Sequence, residues 1–160
     1  MAAATNLATS SGDDDVDRNL ALLAYGLLFF AVFFAGVPSL VAVAIAYAKR
    51  RHTTPLIASH HRFQIFIFWV GFGLTVVAAA LALASIGWML AEVIVTAIHS
   101  RWEGWTTVAA LPPFRIGPTT VAFGSAALTF GLLAGLWLLV TSAYGFIRLA
   151  SQHSIRQTAR

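Results

Sequence analysis

Residues 63–91 read FQIFIFWVGFGLTVVAAALALASIGWMLA and contain no charged side chain. About 20 apolar residues in a helix suffice to cross the hydrocarbon core of a bilayer, and this stretch is longer than that. Two further stretches, residues 20–48 and 116–147, are also free of charge. The sequence therefore predicts an all-α integral membrane protein with three transmembrane helices.

The composition of the whole chain supports this class. Of the 160 residues, 59% are apolar and 10% are charged, whereas soluble domains average about 25% charged residues. A domain of about 150 residues removes only about 70% of its unfolded surface from water, so much apolar surface would stay exposed. The composition argues against a soluble enzyme domain, and the absence of cysteine excludes disulfides and thiolate chemistry.

The first uncharged stretch, residues 20–48, has two interpretations. Pro38 follows Gly36 and Val37, and a proline inside a helix removes one backbone hydrogen bond and bends the helix. The same residues also suit the turn of a short re-entrant hairpin, which would bring the N-terminus to the opposite side of the membrane. We favour one transmembrane helix kinked at Pro38, because lipid does not tolerate irregular backbone.

Three regions outside the uncharged stretches complete the predicted organisation. Residues 1–18, with four aspartates, are expected to form a disordered acidic tail, and residues 151–160 a basic C-terminal tail. Residues 19–150 then form a single transmembrane domain. Within it, residues 100–118 hold two tryptophans and three prolines, which indicates a loop at the headgroups between the second and third helices.

Lysine and arginine residues are distributed unevenly around these stretches. Seven lie between the first and second stretches or after the third, and three lie elsewhere. Because cytoplasmic loops of membrane proteins are enriched in Lys and Arg, the bias predicts a cytoplasmic C-terminus and, with three spans, an N-terminus outside. The same distribution accounts for the basic net charge, so we expect no nucleic-acid partner.

The densest polar group begins the second stretch, in SHHRFQ at residues 59–64. If a helix begins near Ala58, His60 and Gln64 lie one turn apart on one face. Gln64 then lies just inside the membrane and needs a hydrogen-bond partner, either His60 or a carbonyl group of the first helix. We expect His60, Arg62 and Gln64 to form a polar interaction patch at the cytoplasmic edge.

The sequence predicts no catalytic centre, no cofactor and no metal site. No carboxylate is near the histidines in sequence, and adjacent histidines on a helix point about 100° apart, which does not suit one ion. The interiors of the spans also lack the charged groups that proton or ion coupling by a single copy requires.

A stripe of small residues marks the third stretch. These residues recur at steps of three and four and therefore share a helical face, which allows another helix to approach closely. We interpret them as a helix-packing strip, formed by Gly124, Ala127, Gly131 and Gly135.

Several of these residues occur together in a known family. Tyr47-Ala48-Lys49-Arg50, the segment 59–65 and Phe68-Trp69 resemble a family of small uncharacterised bacterial inner-membrane proteins. That family is distantly similar to the chloroplast inner-envelope import component of the Tic-twenty type. The resemblance covers residues 18–73 and 137–150 and departs from the family pattern at Phe63, at Phe66-Ile67 and in an insertion near residues 92–118. It implies a bacterial inner-membrane location and carries over no activity.

These observations predict a non-enzymatic membrane protein that acts as a structural or interaction subunit, such as an assembly factor. Its expected partners are the lipid bilayer and a larger membrane protein or a second copy. The alternative is an oligomeric transport or channel component. Stoichiometric co-purification with a larger protein favours the first function, and conductance in reconstituted vesicles favours the second.

Overall fold

The protein is all-helical over the residues that its computed structural model describes, which are 2–51, 53–102 and 116–151, with side chains from residue 15 to 98 except 52 and from 116 to 151. These residues form four helices: α1 (Ala2–Phe30), α2 (Val37–Lys49), α3 (Pro55–Trp102) and α4 (Pro118–Ala150). Two apolar segments, Pro55–Ile98 of α3 and Pro118–Ala150 of α4, are long enough to cross a membrane. The all-α prediction is confirmed.

The first uncharged stretch forms a helical hairpin where a single kinked helix was predicted. α1 ends at Phe30, residues 31–36 form turns, and α2 starts at Val37 and packs against α1. Ala35 and Gly36 have φ angles of 50° and 82°. This left-handed backbone ends the helix and reverses the chain, whereas a kink would have preserved its direction. The prediction of one kinked helix over residues 20–48 is therefore wrong.

Pro38 begins a helix instead of bending one. It lies in the first turn of α2, directly after Val37. The first N–H groups of a helix have no acceptor within the helix, so the missing N–H of proline costs no hydrogen bond there. An ion pair between Lys49 Nζ and Asp17 Oδ1, at 2.9 Å, joins the end of α2 to α1 and closes the open end of the hairpin.

The chain divides into two compact units, and the single transmembrane domain over residues 19–150 stays a prediction. The first unit contains the residues up to Phe72 and those from Ala134 onwards, and the second contains Gly73–Leu133. α3 and α4 contribute to both. α1 starts at Ala2, so the described part of the predicted acidic tail is helical. Residues 103–115 of the predicted loop and residues 152–160 of the predicted basic tail lie outside the described residues.

Within the first unit, α1 runs antiparallel to the end of α4. Arg18 Nη2 donates to the Ala150 carbonyl oxygen at 3.4 Å. About two turns further along α1, the Tyr25 ring lies over Gly145. Just beyond the end of α1, Val32 Cγ1 lies 3.7 Å from the position of a Cβ atom on Gly135. Successively later residues of this segment thus contact successively earlier residues of α4. The two helices are therefore antiparallel, and the turn of the hairpin lies beside the middle of α4.

Apolar side chains cover much of the outer face of the two long helices. Leu83 of α3 and Leu128 of α4 are 69% and 71% exposed, and few residues in the most apolar parts of these helices are buried. A soluble protein rarely exposes so continuous an apolar surface. This surface is what a helix in contact with lipid or with another apolar helix presents.

Candidate functional site

Four buried polar side chains of the first unit lie together between α1 and α3. Tyr25 of α1 is 1% exposed, and three residues of α3 are fully buried: His60, His61 and Gln64. We call these four residues the polar cluster. Buried polar groups cost free energy unless they are hydrogen-bonded, so their partners determine what the cluster does.

Gln64 joins the two helices through both ends of its amide. Its Nε2 donates to the Ala21 carbonyl oxygen of α1 at 2.8 Å, and its Oε1 lies 2.9 Å from His61 Nδ1. A carbonyl oxygen only accepts, so the NH₂ group of Gln64 must face Ala21 and Oε1 must face His61. His61 Nδ1 therefore carries a hydrogen and donates it to Gln64.

The other ring nitrogen of His61 follows from this assignment. With the hydrogen on Nδ1, Nε2 of a neutral imidazole carries a lone pair and can only accept. This atom is buried and has no hydrogen-bond partner among the described residues. The Asp17–Lys49 ion pair lies within electrostatic range of the same ring. The cluster thus places one acceptor in the interior close to two opposite charges.

Tyr25 forms the second link between α1 and α3. Its Oη lies 3.0 Å from His60 Nδ1, and the two rings meet edge to face with centroids 5.9 Å apart. The Tyr25 ring also packs directly against Gly145 of α4, and a Cβ atom on Gly145 would overlap the ring. A single aromatic residue therefore positions α1 against both α3 and α4.

The predicted polar patch is divided by the fold. Gln64 does bond a carbonyl group of the first helix, as one of the two sequence-based alternatives proposed, but the imidazole that it accepts from belongs to His61 instead of His60. Arg62 is exposed and lies outside the cluster. Sequence reasoning missed His61 and Tyr25. The signal for His61 was its three-residue spacing from Gln64, which places His61 and Gln64 on one helical face.

The predicted helix-packing strip is not one continuous contact. A Cβ atom on Gly124 would lie 3.3 Å from Ser85 Oγ, and Gly135 faces Val32, but nothing lies within 4 Å of such an atom on Gly131. Ala127 is only half-buried. The closest approaches in the first unit are instead at Gly145, over Tyr25, and at Gly71, where a Cβ atom would lie 3.0 Å from Leu138 Cδ2.

No protein-family model, curated protein or solved structure matches this chain. Its function must therefore be inferred from its own geometry. Within the part of the chain that the structure describes, no three His, Cys, Asp or Glu residues are grouped as a metal site requires. Two hydrogen bonds of the polar cluster join α1 to α3, from Gln64 to Ala21 and between Tyr25 and His60, and one lies within α3, from His61 to Gln64.

In the second unit, a carboxylate of α3 holds the beginning of α4. The Gly117 N–H donates to Glu92 Oε2 at 3.0 Å, directly before α4 starts at Pro118. Ser85 Oγ of α3 also donates to the Thr120 carbonyl oxygen at 2.9 Å. An anionic acceptor at a helix N-terminus satisfies a free N–H group and interacts favourably with the helix dipole.

We expect Glu92→Ala to destabilise the start of α4 by about 0.5–2 kcal/mol, as the loss of other N-terminal caps does. Glu92→Gln keeps an acceptor oxygen and loses only the charge, so its effect should be smaller. Hydrogen exchange of the Gly117 amide measures this directly, with Thr96→Val as a control on the same helix. Equal exchange in Glu92→Ala and in the unmodified protein would show that the carboxylate does not hold this N–H group.

Proposed function

We propose that the protein is an integral protein of the bacterial inner membrane that acts as a structural or interaction subunit and has no catalytic centre. α3 and α4 are its two membrane spans. The observation that carries the proposal is the arrangement of polar and apolar groups in the described helices. The cluster bonds inward, from helix to helix, while the outer faces of α3 and α4 are apolar.

This arrangement favours an interaction role over a reaction. A catalytic or transport site has polar groups facing a cavity through which substrate passes. In the polar cluster, the Gln64 amide and the Tyr25 hydroxyl are already engaged by Ala21 and His60. The apolar faces of the spans remain available for lipid and for the helices of a partner.

Both ends of the described chain lie on one side of the membrane in this proposal, and that side is the cytoplasm. The contact of Arg18 with Ala150 and the ion pair of Asp17 with Lys49 support it. Arg18 then joins the seven basic residues assigned to the cytoplasm, so that eight of the ten lie there. This topology replaces the external N-terminus predicted from three spans.

A reporter that is active only in the cytoplasm tests the topology. Fused after Arg160 or before the first residue, it should be active in both positions, because two spans and a hairpin return the chain to the side on which it began. The same reporter inserted between Glu103 and Arg115 should be inactive. Activity at only one of the two ends would restore the three-span topology.

Co-purification tests the interaction role. The tagged protein, extracted from native membranes in a mild detergent, should carry a larger membrane protein or further copies of itself in fixed stoichiometry. Vesicles reconstituted with the purified protein should show no ion conductance above that of empty vesicles. Conductance would favour the oligomeric channel or transport component instead, and a lipid-bound monomer without a partner would contradict the interaction role.

A further inference from the structure

We propose that the α1–α2 hairpin is a re-entrant element that enters and leaves the membrane through a single leaflet, with the acyl chains of that leaflet around its tip. The tip is defined as residues 30–37. This inference rests on the proposed membrane location, and it adds an interaction surface whose partner is lipid. Four observations carry it: the length of the arms, the depth of the tip, the hydrogen bonds of the turn and the polarity of the hairpin.

The arms of the hairpin are too short to cross a bilayer. α2 has 13 residues, and the part of α1 from the ion-paired Asp17 to Phe30 has 14, counting both of these residues. At 1.5 Å per residue each arm is about 20 Å long, whereas the hydrocarbon core is about 30 Å thick. A hairpin of this length that starts among the headgroups ends inside the hydrocarbon.

The contacts with α4 give the same depth independently. The open end of the hairpin lies beside Ala150, the last residue of α4, and its turn lies beside Gly135. Gly135 is close to the middle of this 33-residue helix. If α4 crosses the membrane, the turn therefore lies part-way through the membrane and does not reach the opposite headgroups.

The turn pairs part of its own backbone, which lowers the cost of placing it in an environment without water. Four of its N–H groups bond to carbonyl oxygens of the turn itself: Phe33 to Phe30, Phe34 and Gly36 to Ala31, and Val37 to Phe34. The Ser39 hydroxyl also donates to the Gly36 carbonyl oxygen. Irregular backbone is excluded from lipid because unpaired groups are costly, and the internal bonds of the turn pair four of these N–H groups.

The side chains divide the hairpin into an apolar tip and a charged base. Phe33 and Phe34 at the tip are 66% and 63% exposed. At the base, Asp17 pairs with Lys49, and the Arg50 guanidinium lies 4.7 Å from the centroid of the Tyr47 ring. Aromatic and basic side chains at the base suit the headgroup region, and phenylalanines at the tip suit acyl chains.

The protein contains no cysteine, so single cysteines report on single positions. We would compare Phe34→Cys at the tip, Arg51→Cys at the base and Leu136→Cys on α4, beside the tip, in liposomes of phosphatidylethanolamine and phosphatidylglycerol. A membrane-impermeant maleimide should label Arg51→Cys from one face only. It should fail to label Phe34→Cys and Leu136→Cys from either face, and all three should react after detergent is added.

Depth-dependent quenching completes the test. A fluorophore attached at Phe34→Cys before reconstitution should be quenched more by a nitroxide deep on the acyl chain than by one on the headgroup, and a fluorophore at Arg51→Cys should show the reverse. Val37→Cys serves as a second tip position if Phe34→Cys does not fold. The labelling and quenching results at the tip are interpreted only if Leu136→Cys is protected from the maleimide in the same vesicles.

Three outcomes would overturn the proposals, and they are distinguishable. Labelling of Phe34→Cys from the face opposite Arg51→Cys would mean that the hairpin crosses the membrane. Labelling from the same face would mean that the hairpin lies in water. In both cases a protected Leu136→Cys leaves the proposed membrane location standing. Labelling of Leu136→Cys itself in intact vesicles would overturn the membrane location as well.

Discussion

Gly145→Ala is expected to lower the stability of the protein by about 1–3 kcal/mol, the usual cost of forcing extra atoms into a filled interior. The added Cβ atom would lie 2.5 Å from Cζ and 2.7 Å from Oη of Tyr25. The Tyr25 ring cannot move aside cheaply, because it is 1% exposed and its hydroxyl bonds His60. Thermal unfolding of the purified protein in one detergent measures the effect.

Gly131→Ala is the matched control for this substitution. It adds the same methyl group to the same helix, but nothing lies within 4 Å of it. Alanine is the better helix former by about 1 kcal/mol, so this variant should be neutral or more stable. Removing the ring by Tyr25→Ala should also remove most of the cost of Gly145→Ala. An equal cost in both backgrounds would show that Tyr25 is not the obstacle.

Gln64→Met is expected to cost about 1–3 kcal/mol, because it leaves the buried Nδ1–H of His61 without its acceptor. It also removes the bond that joins α3 to the Ala21 carbonyl, although that oxygen keeps its backbone hydrogen bond within α1. Methionine is close to glutamine in shape, so the change tests hydrogen bonding more than volume. The measurement is again thermal unfolding in a single detergent.

Arg62→Met provides the comparison for Gln64→Met, two residues away on the same helix. Arg62 is exposed, and surface substitutions usually stay within about 0.5 kcal/mol. Both variants replace a polar side chain of the same short segment by methionine, but the side chain replaced is buried in one and exposed in the other. Similar effects for both would mean that the carbonyl and the imidazole find other partners, and that the polar cluster does not hold α1 against α3.

Part of the candidate site could be predicted from the sequence. The step from His60 to Gln64 places both on one helical face, and a glutamine beside an apolar stretch must find a partner in the protein. The identity of that partner could not be predicted, since Ala21 is 43 residues away and contributes only its backbone carbonyl. Every residue carries such a group, so the sequence holds no signal for this one.

The hairpin could not be predicted from the local sequence alone. Gly36 and Pro38 fit both a kink and a turn, and the outcome depends on backbone angles at Ala35 and Gly36. The kinked helix was favoured over the hairpin because irregular backbone is costly in lipid, yet the turn pairs four of its own N–H groups. That pairing exists only in the folded turn and leaves no mark on hydropathy.

The sequence by itself determined the helical class, because in lipid an apolar segment satisfies its backbone hydrogen bonds within helices. It also marked the two helices that are long and apolar enough to cross a membrane. It also determined that the basic residues concentrate at the ends of these stretches. Tertiary structure alone decided that Gly145, and not Gly131, receives another helix, since both glycines look alike in the chain. The difference arises because the Tyr25 ring, 120 residues earlier, occupies the space over only one of them.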